Sequence, residues 1–182
     1  MRRFTVAVSA FALGAIVVLG ALYLLHGVTE ASARVYGDWR LNCPPASASV
    51  SRCALTQDIM QSGTGVTLVH LEFAKFDDER RLTIVVPHGV LLKPGLGFGI
   101  GKAPLRVLKY LTCDQVGCVV LLPLDEATFT ALQNGDTGRI VVVARDGQES
   151  AFPYSLQGFG DGASMLGWEA FKRSSWLGRL LP

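Results

Sequence analysis

The sequence predicts an all-β domain, a sandwich or a barrel, that follows an apolar N-terminal segment. Two observations lead to this prediction. Seven or eight short runs have the composition of strands, most of them alternating between apolar and polar residues, and turn residues such as Pro94-Gly95 and Asp146-Gly147 separate them. By contrast, one segment alone, between Asp125 and Gly135, has the pattern of a short helix within the domain.

The N-terminal segment is typical of an exported protein. Met1-Arg2-Arg3 is followed by 22 uncharged residues, Phe4 to Leu25, which suffice to span about 30 Å of hydrocarbon as a helix. An A-x-A cleavage site, Ala31-Ser32-Ala33, comes soon after. Two interpretations stay open, a signal peptide cleaved after Ala33 and an uncleaved signal anchor. Both export everything from Arg34 onward, because the two arginines favour a cytoplasmic N-terminus.

Length and charge indicate one domain with flanking segments. We predict an export segment at residues 1–33, a β-domain at residues 34–166 and a C-terminal tail at residues 167–182. The formal net charge is only +2, so no basic surface for nucleic acid is expected.

The first predicted hairpin pairs Val35–Cys43 with the segment around Cys53. Strand alternation puts Trp39 and Cys43 on a buried face. The opposite face mixes an aromatic residue with polar ones, a composition suited to recognition. We therefore predict a possible interaction surface at Tyr36, Asp38, Arg40 and Asn42.

The remaining elements follow in order along the chain. Val66–Phe73 and Arg80–Val86 are expected to form a hairpin around the polar turn Asp77-Asp78-Glu79. The further predicted strands are Leu105–Cys113, Cys118–Leu122, Arg139–Ala144 and Ser150–Leu156. Val119–Leu122 is apolar on both faces, as a central strand would be, and Pro153 indicates a sheet edge. Asp125 is expected to cap the helix and Gly135 to end it.

The four cysteines are predicted to form two local disulfides, Cys43–Cys53 and Cys113–Cys118. Each pair flanks a turn between predicted strands, and an exported chain meets an oxidising environment. The first spacing is too long for a zinc knuckle, and neither pair has the C-x-x-C spacing of redox enzymes. We expect these cysteines to be structural.

Other candidates for chemistry are weak. The glycines between Gly95 and Gly101 do not have the spacing of a dinucleotide-binding loop, so a turn followed by a strand is expected. His70 and Glu72 share a strand face and would supply half of a metal site; His26 and His88 stand alone. Ser155 has no nucleophile-elbow motif. We predict no enzyme activity, no cofactor, no metal and no nucleotide.

Several ordered motifs carry a family resemblance. They are Y-G-D-W at 36–39, R-C-A-L-T-Q at 52–57, G-V-L-L-K-P-G-L-G at 89–97, the pair Cys113/Cys118, and S-L-Q-G-F at 155–159. Over roughly Val35 to Leu166 the sequence resembles the invasion-associated locus B family of exported proteobacterial proteins. The resemblance implies an immunoglobulin-like β-sandwich, an extracytoplasmic location and a link to bacterial entry into host cells. It brings no catalytic residues.

The tail after Leu166 departs from that family pattern, as does the long apolar N-terminus. Three interpretations of the tail stay open: packing on the sandwich, contact with a membrane surface, or disorder. Trp and Arg suit a bilayer interface, so Trp168, Phe171 and Trp176 are possible membrane contacts.

Three functions are compatible with this sequence. The first is a non-enzymatic envelope protein that binds a protein partner in the envelope or on a host cell. The second is a structural or stress-related periplasmic factor without a host partner. The third and weakest is a hydrolase or metal-binding enzyme. The expected location is the periplasm or outer envelope, with membrane attachment through residues 4–25 if that segment is not cleaved.

Overall fold

The computed structural model describes residues 14–21, 31–45, 48, 52–76 and 79–174. Of the predicted export segment it describes a helix, α1, at residues 14–21, and the residues from 31 onward. No helix in these described ranges is both long and apolar enough to cross a membrane. His26, Asp77, Asp78 and Trp176 lie outside the described residues.

Two antiparallel sheets form the body of the described chain. The larger sheet has the strand order β1-β2-β3-β4-β5-β9-β8, and the smaller sheet has the order β11-β10-β6-β7. In chain order, the strands are β1 (Ser32–Tyr36), β2 (Trp39–Cys43), β3 (Ala54–Met60), β4 (Thr67–Phe76), β5 (Glu79–Val86), β6 (Leu96–Ile100), β7 (Arg106–Leu108), β8 (Thr112–Cys113), β9 (Cys118–Pro123), β10 (Thr137–Val143) and β11 (Glu149–Ser155).

The predicted all-β sandwich is confirmed by how the two sheets share one core. Alternate residues of both sheets are buried in a single apolar cluster, as the two-residue period of strands requires. Its largest fully buried side chains include Trp39 and Phe73 from the larger sheet and Phe98 from the smaller one. Tyr154 lies there too, and its hydroxyl donates to the Gly99 carbonyl at 3.1 Å; burial raises the pKa of this phenol.

Most predicted hairpins are confirmed. β4 pairs with β5 across Phe76 and Glu79, and β10 pairs with β11 across the Asp146-Gly147 turn, where Gly147 has a φ of 84°. β11 is an edge strand, as the presence of Pro153 predicted. Proline has no N–H to donate, and at a sheet edge this costs no hydrogen bond with a neighbouring strand. The predicted turn followed by a strand is confirmed: the Gly95 N–H donates to the Leu92 carbonyl in the turn, and Gly97 and Gly99 lie in strand β6.

The opening strand differs from the prediction. Instead of one strand from Val35 to Cys43, a two-residue turn at Gly37-Asp38 separates β1 from β2. Gly37 has a φ of 54°, a conformation that glycine adopts without steric cost. The turn pairs Tyr36 with Trp39, so Tyr36 packs on the core side, whereas Val35 is exposed opposite Arg40.

The predicted strand Leu105–Cys113 is also divided. Its first part, β7, is the edge of the smaller sheet, and its last part, β8, pairs with β9 in the larger one. β9 lies between β5 and β8, but only one of its faces is buried: Val120 and Leu122 point into the core, and Leu121 is exposed. The strand is therefore paired on both sides, as a central strand is, although its second apolar face is exposed.

Helix α2, Glu126–Asn134, has the predicted ends. The Asp125 carboxylate accepts a hydrogen bond from the Thr128 N–H at 2.7 Å, and hydrogen bonds from Thr128 lower the pKa of this carboxyl group. Gly135 caps the C-terminus, where its N–H donates to the Ala131 carbonyl at 3.0 Å.

Helix α3, Phe159–Ser174, was not predicted. Its sequence contains Gly160, Gly162 and Gly167, which lower helix propensity. The helix packs on the larger sheet through Phe159, Gly162, Ala163 and Leu166. Gly162 is needed there because a Cβ at this position would lie 2.5 Å from Leu55 Cδ1. α3 continues past Leu166, and β1 begins before Arg34, so both ends of the predicted domain fall inside elements.

Two turns that contain glycine, at Gly37 and Gly158, pack closely against each other and connect the N-terminal and C-terminal parts of the domain. A Cβ on Gly37 would lie 2.4 Å from the Gln157 carbonyl oxygen, and one on Gly158 would lie 2.0 Å from that of Tyr36. The Asp38 N–H donates to the Gln157 carbonyl at 3.1 Å. Nearby, Trp39 Nε1 donates to the Ser155 carbonyl at 2.9 Å, across 116 positions of sequence.

The structure contains the two disulfides expected from the spacing, Cys43–Cys53 and Cys113–Cys118. Their Cα atoms are 4.1 Å and 4.0 Å apart. Cys113 and Cys118 are directly opposed in the β8–β9 ladder. The first bridge is buried, and it closes the loop between β2 and β3.

Candidate functional site

The outer face of the larger sheet carries a polar groove. Side chains that alternate with the core residues of β2, β3 and β4 point to this face. The groove has a volume of about 650 Å³, within the range of ligand-binding clefts. The polar and charged side chains along it include Arg40, Asn42, Arg52, Thr56, Asp58, His70 and Glu72.

Strand register sets these side chains in rows across the sheet. Arg40, Thr56 and Glu72 are successive partners on β2, β3 and β4, and Asp58 is paired with His70 in the next row. Ala54 and Ala74 line the adjoining part of the groove, where their small side chains leave room. The groove therefore has a shallow part bordered by charged groups of both signs.

Hydrogen bonds order the polar side chains of β2 and β3. Asn42 Nδ2 donates to Thr56 Oγ1 at 3.2 Å, and Thr56 Oγ1 donates to the Arg40 carbonyl at 3.4 Å. The Arg40 side chain itself is exposed beside them. A guanidinium held at the edge of a groove is well placed to donate to carboxylate or carbonyl groups of a partner.

His70 and Asp58 form a pair on this face, with His70 Nδ1 2.7 Å from Asp58 Oδ1. Glu72 lies on the same face of β4, as the sequence predicted. Within the described ranges, no three histidine, cysteine, aspartate or glutamate residues are grouped so that they could hold a metal ion. Asp58 acts here as a hydrogen-bonding partner that orients the imidazole.

Arginines surround an aromatic ring at the end of the groove near the first disulfide. The Arg52 guanidinium lies 3.8 Å from the centroid of the Phe76 ring, and that of Arg81 lies 4.8 Å from it. Arg81 is also paired with Glu79. These contacts hold Arg52 beside Cys53 at the groove wall.

Gln57 supports the groove from the core side. Its amide nitrogen donates to the carbonyls of Asp38 and Ser155, both at 3.2 Å, and its oxygen accepts from the Ser155 N–H at 3.2 Å. The side chain is 8% exposed and is the one polar residue in the buried core of the described chain. It joins β3 to the β1–β2 turn and to β11.

The four residues of the predicted interaction surface do not share one face. Arg40 and Asn42 lie along the groove, and Asp38 lines it from the β1–β2 turn. Tyr36 packs against the core instead, because the turn at Gly37 reverses the chain. Sequence analysis missed Thr56, Asp58 and Arg52, which the groove brings to the same site.

The other chemical candidates are engaged in local structure. The Ser155 hydroxyl accepts from the Gln157 N–H at 3.1 Å, and His88 Nε2 lies 2.6 Å from the Asp114 carbonyl oxygen. Among the possible membrane contacts, Trp168 and Phe171 stack on each other at the outer side of α3, with ring centroids 5.7 Å apart.

Fold and site together define a disulfide-linked β-sandwich domain with a polar groove on its larger sheet. The chain belongs to the Invasion associated locus B (IalB) protein family, which it matches over residues 39–166. This match confirms the family resemblance seen in the motifs. No curated protein matches the chain significantly.

A solved structure shares the fold. It is the crystal structure of invasion associated protein B from Bartonella henselae, with a TM-score of 0.64. The similarity covers 74% of this chain and 95% of that one, at 18% sequence identity. At this identity the likeness establishes the two-sheet architecture.

Proposed function

We propose that this protein is an exported, non-enzymatic bacterial envelope protein that binds a protein partner through the groove on its larger sheet. The groove carries the proposal: it is a preformed concave surface with Arg40 exposed at its edge and with both signs of charge along it. Arginine is enriched in protein interfaces, where its planar group donates several hydrogen bonds.

Two observations support export. The domain holds two disulfides, which form and persist in oxidising compartments. The chain also has a basic start followed by the uncharged residues 4–25. The location we propose is therefore extracytoplasmic, in the periplasm or the outer envelope. The relative from Bartonella henselae is described as invasion associated, and on that basis we include a host-cell surface among the places where the partner resides.

The test is reversible crosslinking in intact cells, followed by capture of the protein and identification of what is bound. We expect one protein partner to be enriched, and we expect Arg40→Ala combined with Glu72→Ala to reduce its recovery. Truncating interface hot spots costs about 2 kcal/mol or more, or about 30-fold in affinity. Arg145→Ala, an exposed arginine at the β10–β11 turn, is the matched control and should leave recovery unchanged.

The thermal stability of both variants should stay close to wild type, because Arg40 and Arg145 are exposed and Glu72 is half-buried outside the core, and substitutions at such surface positions change stability by only about 0.5 kcal/mol. Tyr36 is not a suitable substitution here, since its side chain packs on the core. Equal recovery with the groove variant and the control would refute binding at the groove. Crosslinking with bacteria alone and with host cells present separates an envelope partner from a host partner.

A further inference from the structure

The outer face of the smaller sheet is apolar and exposed. Strand alternation directs one residue of each strand away from the core in the same row of the sheet. These residues are Ala151 on β11, Val141 on β10, Gly97 on β6 and Val107 on β7, each paired with the next. Val107 is 69% exposed, and Ala151 is exposed as well. The row therefore presents no polar side chain.

Neighbouring residues extend this apolar surface. Leu105 lies across β6, because a Cβ on Gly97 would be 3.3 Å from Leu105 Cδ1 and one on Gly99 would be 3.0 Å from Leu105 Cδ2. At the next row, the Leu91 N–H donates to the Val143 carbonyl at 2.8 Å, and Leu91 is 38% exposed. Monomeric soluble proteins rarely expose large contiguous apolar surfaces, so a surface of this kind indicates a contact with a partner.

Two charged residues lie at opposite edges of this face. Glu149 precedes Ala151 by two positions on β11, so the two share a face. Lys109 follows Val107 by two positions, and it points away from the core because both of its neighbours pack against the core. The strands run antiparallel from β11 to β7, so Glu149 and Lys109 lie in one row of the sheet. Both are exposed, one at each end of that row.

The charged side chain of β10 on this face is held within its own chain. Arg139 Nη1 donates to the Gly101 carbonyl at 3.0 Å, and Nη2 donates to the Ala103 carbonyl at 3.2 Å. The guanidinium is therefore bound to the loop after β6, and the centre of the face stays apolar.

We propose that a second copy of this chain packs face to face on this surface, about a two-fold axis that runs parallel to the strands between β10 and β6. Such an axis places β11 of each copy over β7 of the other, so the Glu149 carboxylate of one copy faces the Lys109 ammonium of the second copy, and the reverse. The apolar row lies between the two ion pairs. An apolar centre with a charged rim is the usual anatomy of a protein interface, and a two-fold dimer is the commonest assembly.

The dimer leaves the groove accessible, because the groove lies on the larger sheet and the contact on the smaller one. Each assembly then carries two grooves, which increases the avidity for a partner that offers two binding segments. The dimer itself does not depend on whether the groove binds a partner.

Co-recovery of two differently tagged full-length copies tests this contact. The copies are expressed together, the envelopes are extracted with a nonionic detergent, and one tag is captured. We expect the second copy to be recovered, with no further protein in the complex. Val107→Asp in both copies should lower this recovery about tenfold, because it places a carboxylate in the apolar contact. Val116→Asp, in the β8–β9 turn where Val116 is 79% exposed, is the matched control and should leave recovery unchanged.

Charge reversal tests the two-fold axis. Glu149→Lys in both copies, or Lys109→Glu in both copies, makes both pairs repulsive, so recovery should fall several-fold. A Glu149→Lys copy combined with a Lys109→Glu copy makes both pairs attractive again. Recovery of this mixed pair should return to that of the wild type, which also shows that both variants are folded.

Four outcomes contradict the proposal. Absence of the second wild-type copy leaves this face to a lipid or to a different protein, and a third protein in the complex shows that the two copies are bridged. Equal recovery with Val107→Asp and Val116→Asp places the contact on another face. A mixed charge pair recovered no better than the two like pairs refutes the axis. If Val107→Asp does not fold, the charge-reversal pairs decide between the same results.

Discussion

Replacing Gly162 by alanine should destabilise the domain relative to the same replacement at Gly167, five residues further along α3. A Cβ on Gly162 would lie 2.5 Å from Leu55 Cδ1 and 3.0 Å from Cδ2. Leu55 is fully buried where it meets α3, so its side chain has to shift within a close-packed core to make room for the added carbon. A Cβ on Gly167 would meet no atom of the described structure within 4 Å.

The magnitude follows from two opposing effects. Alanine is favoured over glycine inside a helix by about 1 kcal/mol, and this gain applies at both positions. Overpacking a tight core costs about 1–3 kcal/mol and applies only at Gly162. The helix gain cancels between the variants, so the free energy of unfolding of Gly162→Ala should lie about 1–3 kcal/mol below that of Gly167→Ala. In a chain of this size, each kcal/mol shifts Tm by about 2–4 °C.

Urea unfolding with both disulfides intact measures this difference. The fluorescence of Trp39 reports on it directly, because its ring packs edge-on against Phe159 of α3, with centroids 5.0 Å apart. Gly167→Ala should be at least as stable as the wild type. Unfolding of the two variants at the same urea concentration would show that α3 does not pack on β3 through Gly162.

Two further predictions concern the buried amide and the disulfides. Gln57→Leu should lower the free energy of unfolding by about 2 kcal/mol, because it leaves the half-buried Ser155 N–H and the Asp38 carbonyl without this partner. Thr67→Val, at an exposed position of β4, should change it by about 0.5 kcal/mol or less, and similar urea midpoints for the two would contradict this role of Gln57. Peptide mapping of unreduced protein from the envelope should recover Cys43–Cys53 and Cys113–Cys118, each stabilising by about 2–3 kcal/mol. Free thiols in that protein, or a linkage between the two pairs, would refute this pairing.

Much of the sandwich could be predicted because alternation and turn residues act locally. The β4–β5 and β10–β11 hairpins, the edge position of Pro153 and the capped helix α2 follow from residues close in sequence. Helix α3 could not be predicted in the same way. Its glycines disfavour a helix on their own, and only the packing against Leu55, which is distant in sequence, makes a glycine there favourable.

The groove was only partly predictable. Arg40 and Asn42 were placed correctly by alternation, but Tyr36 was not, because glycine in Y-G-D-W provides a turn that the strand pattern hides. The predicted cysteine pairing also determines which residues lie opposite each other on β2 and β3. Cysteines that pair across adjacent strands fix the register, and with Cys43 opposite Cys53 the residue opposite Arg40 must be Thr56. From that row, Asp58 follows two positions further on the same face.

The contacts between the β1–β2 turn and residues 155–158 have a consequence for how the domain completes its folding. Trp39 and Gln57 lie in the first strands and Gly37 in the turn between β1 and β2, yet they contact the last strand and the turn after it. For a chain that emerges N-terminus first, β1–β5 have no such partners until Ser155 and Gly158 have also emerged. Closing so long a loop costs conformational entropy. Contacts within local hairpins do not offset this cost, which is offset only when the two distant segments meet. The sandwich is therefore expected to close as a late step, after almost the whole domain has been synthesised.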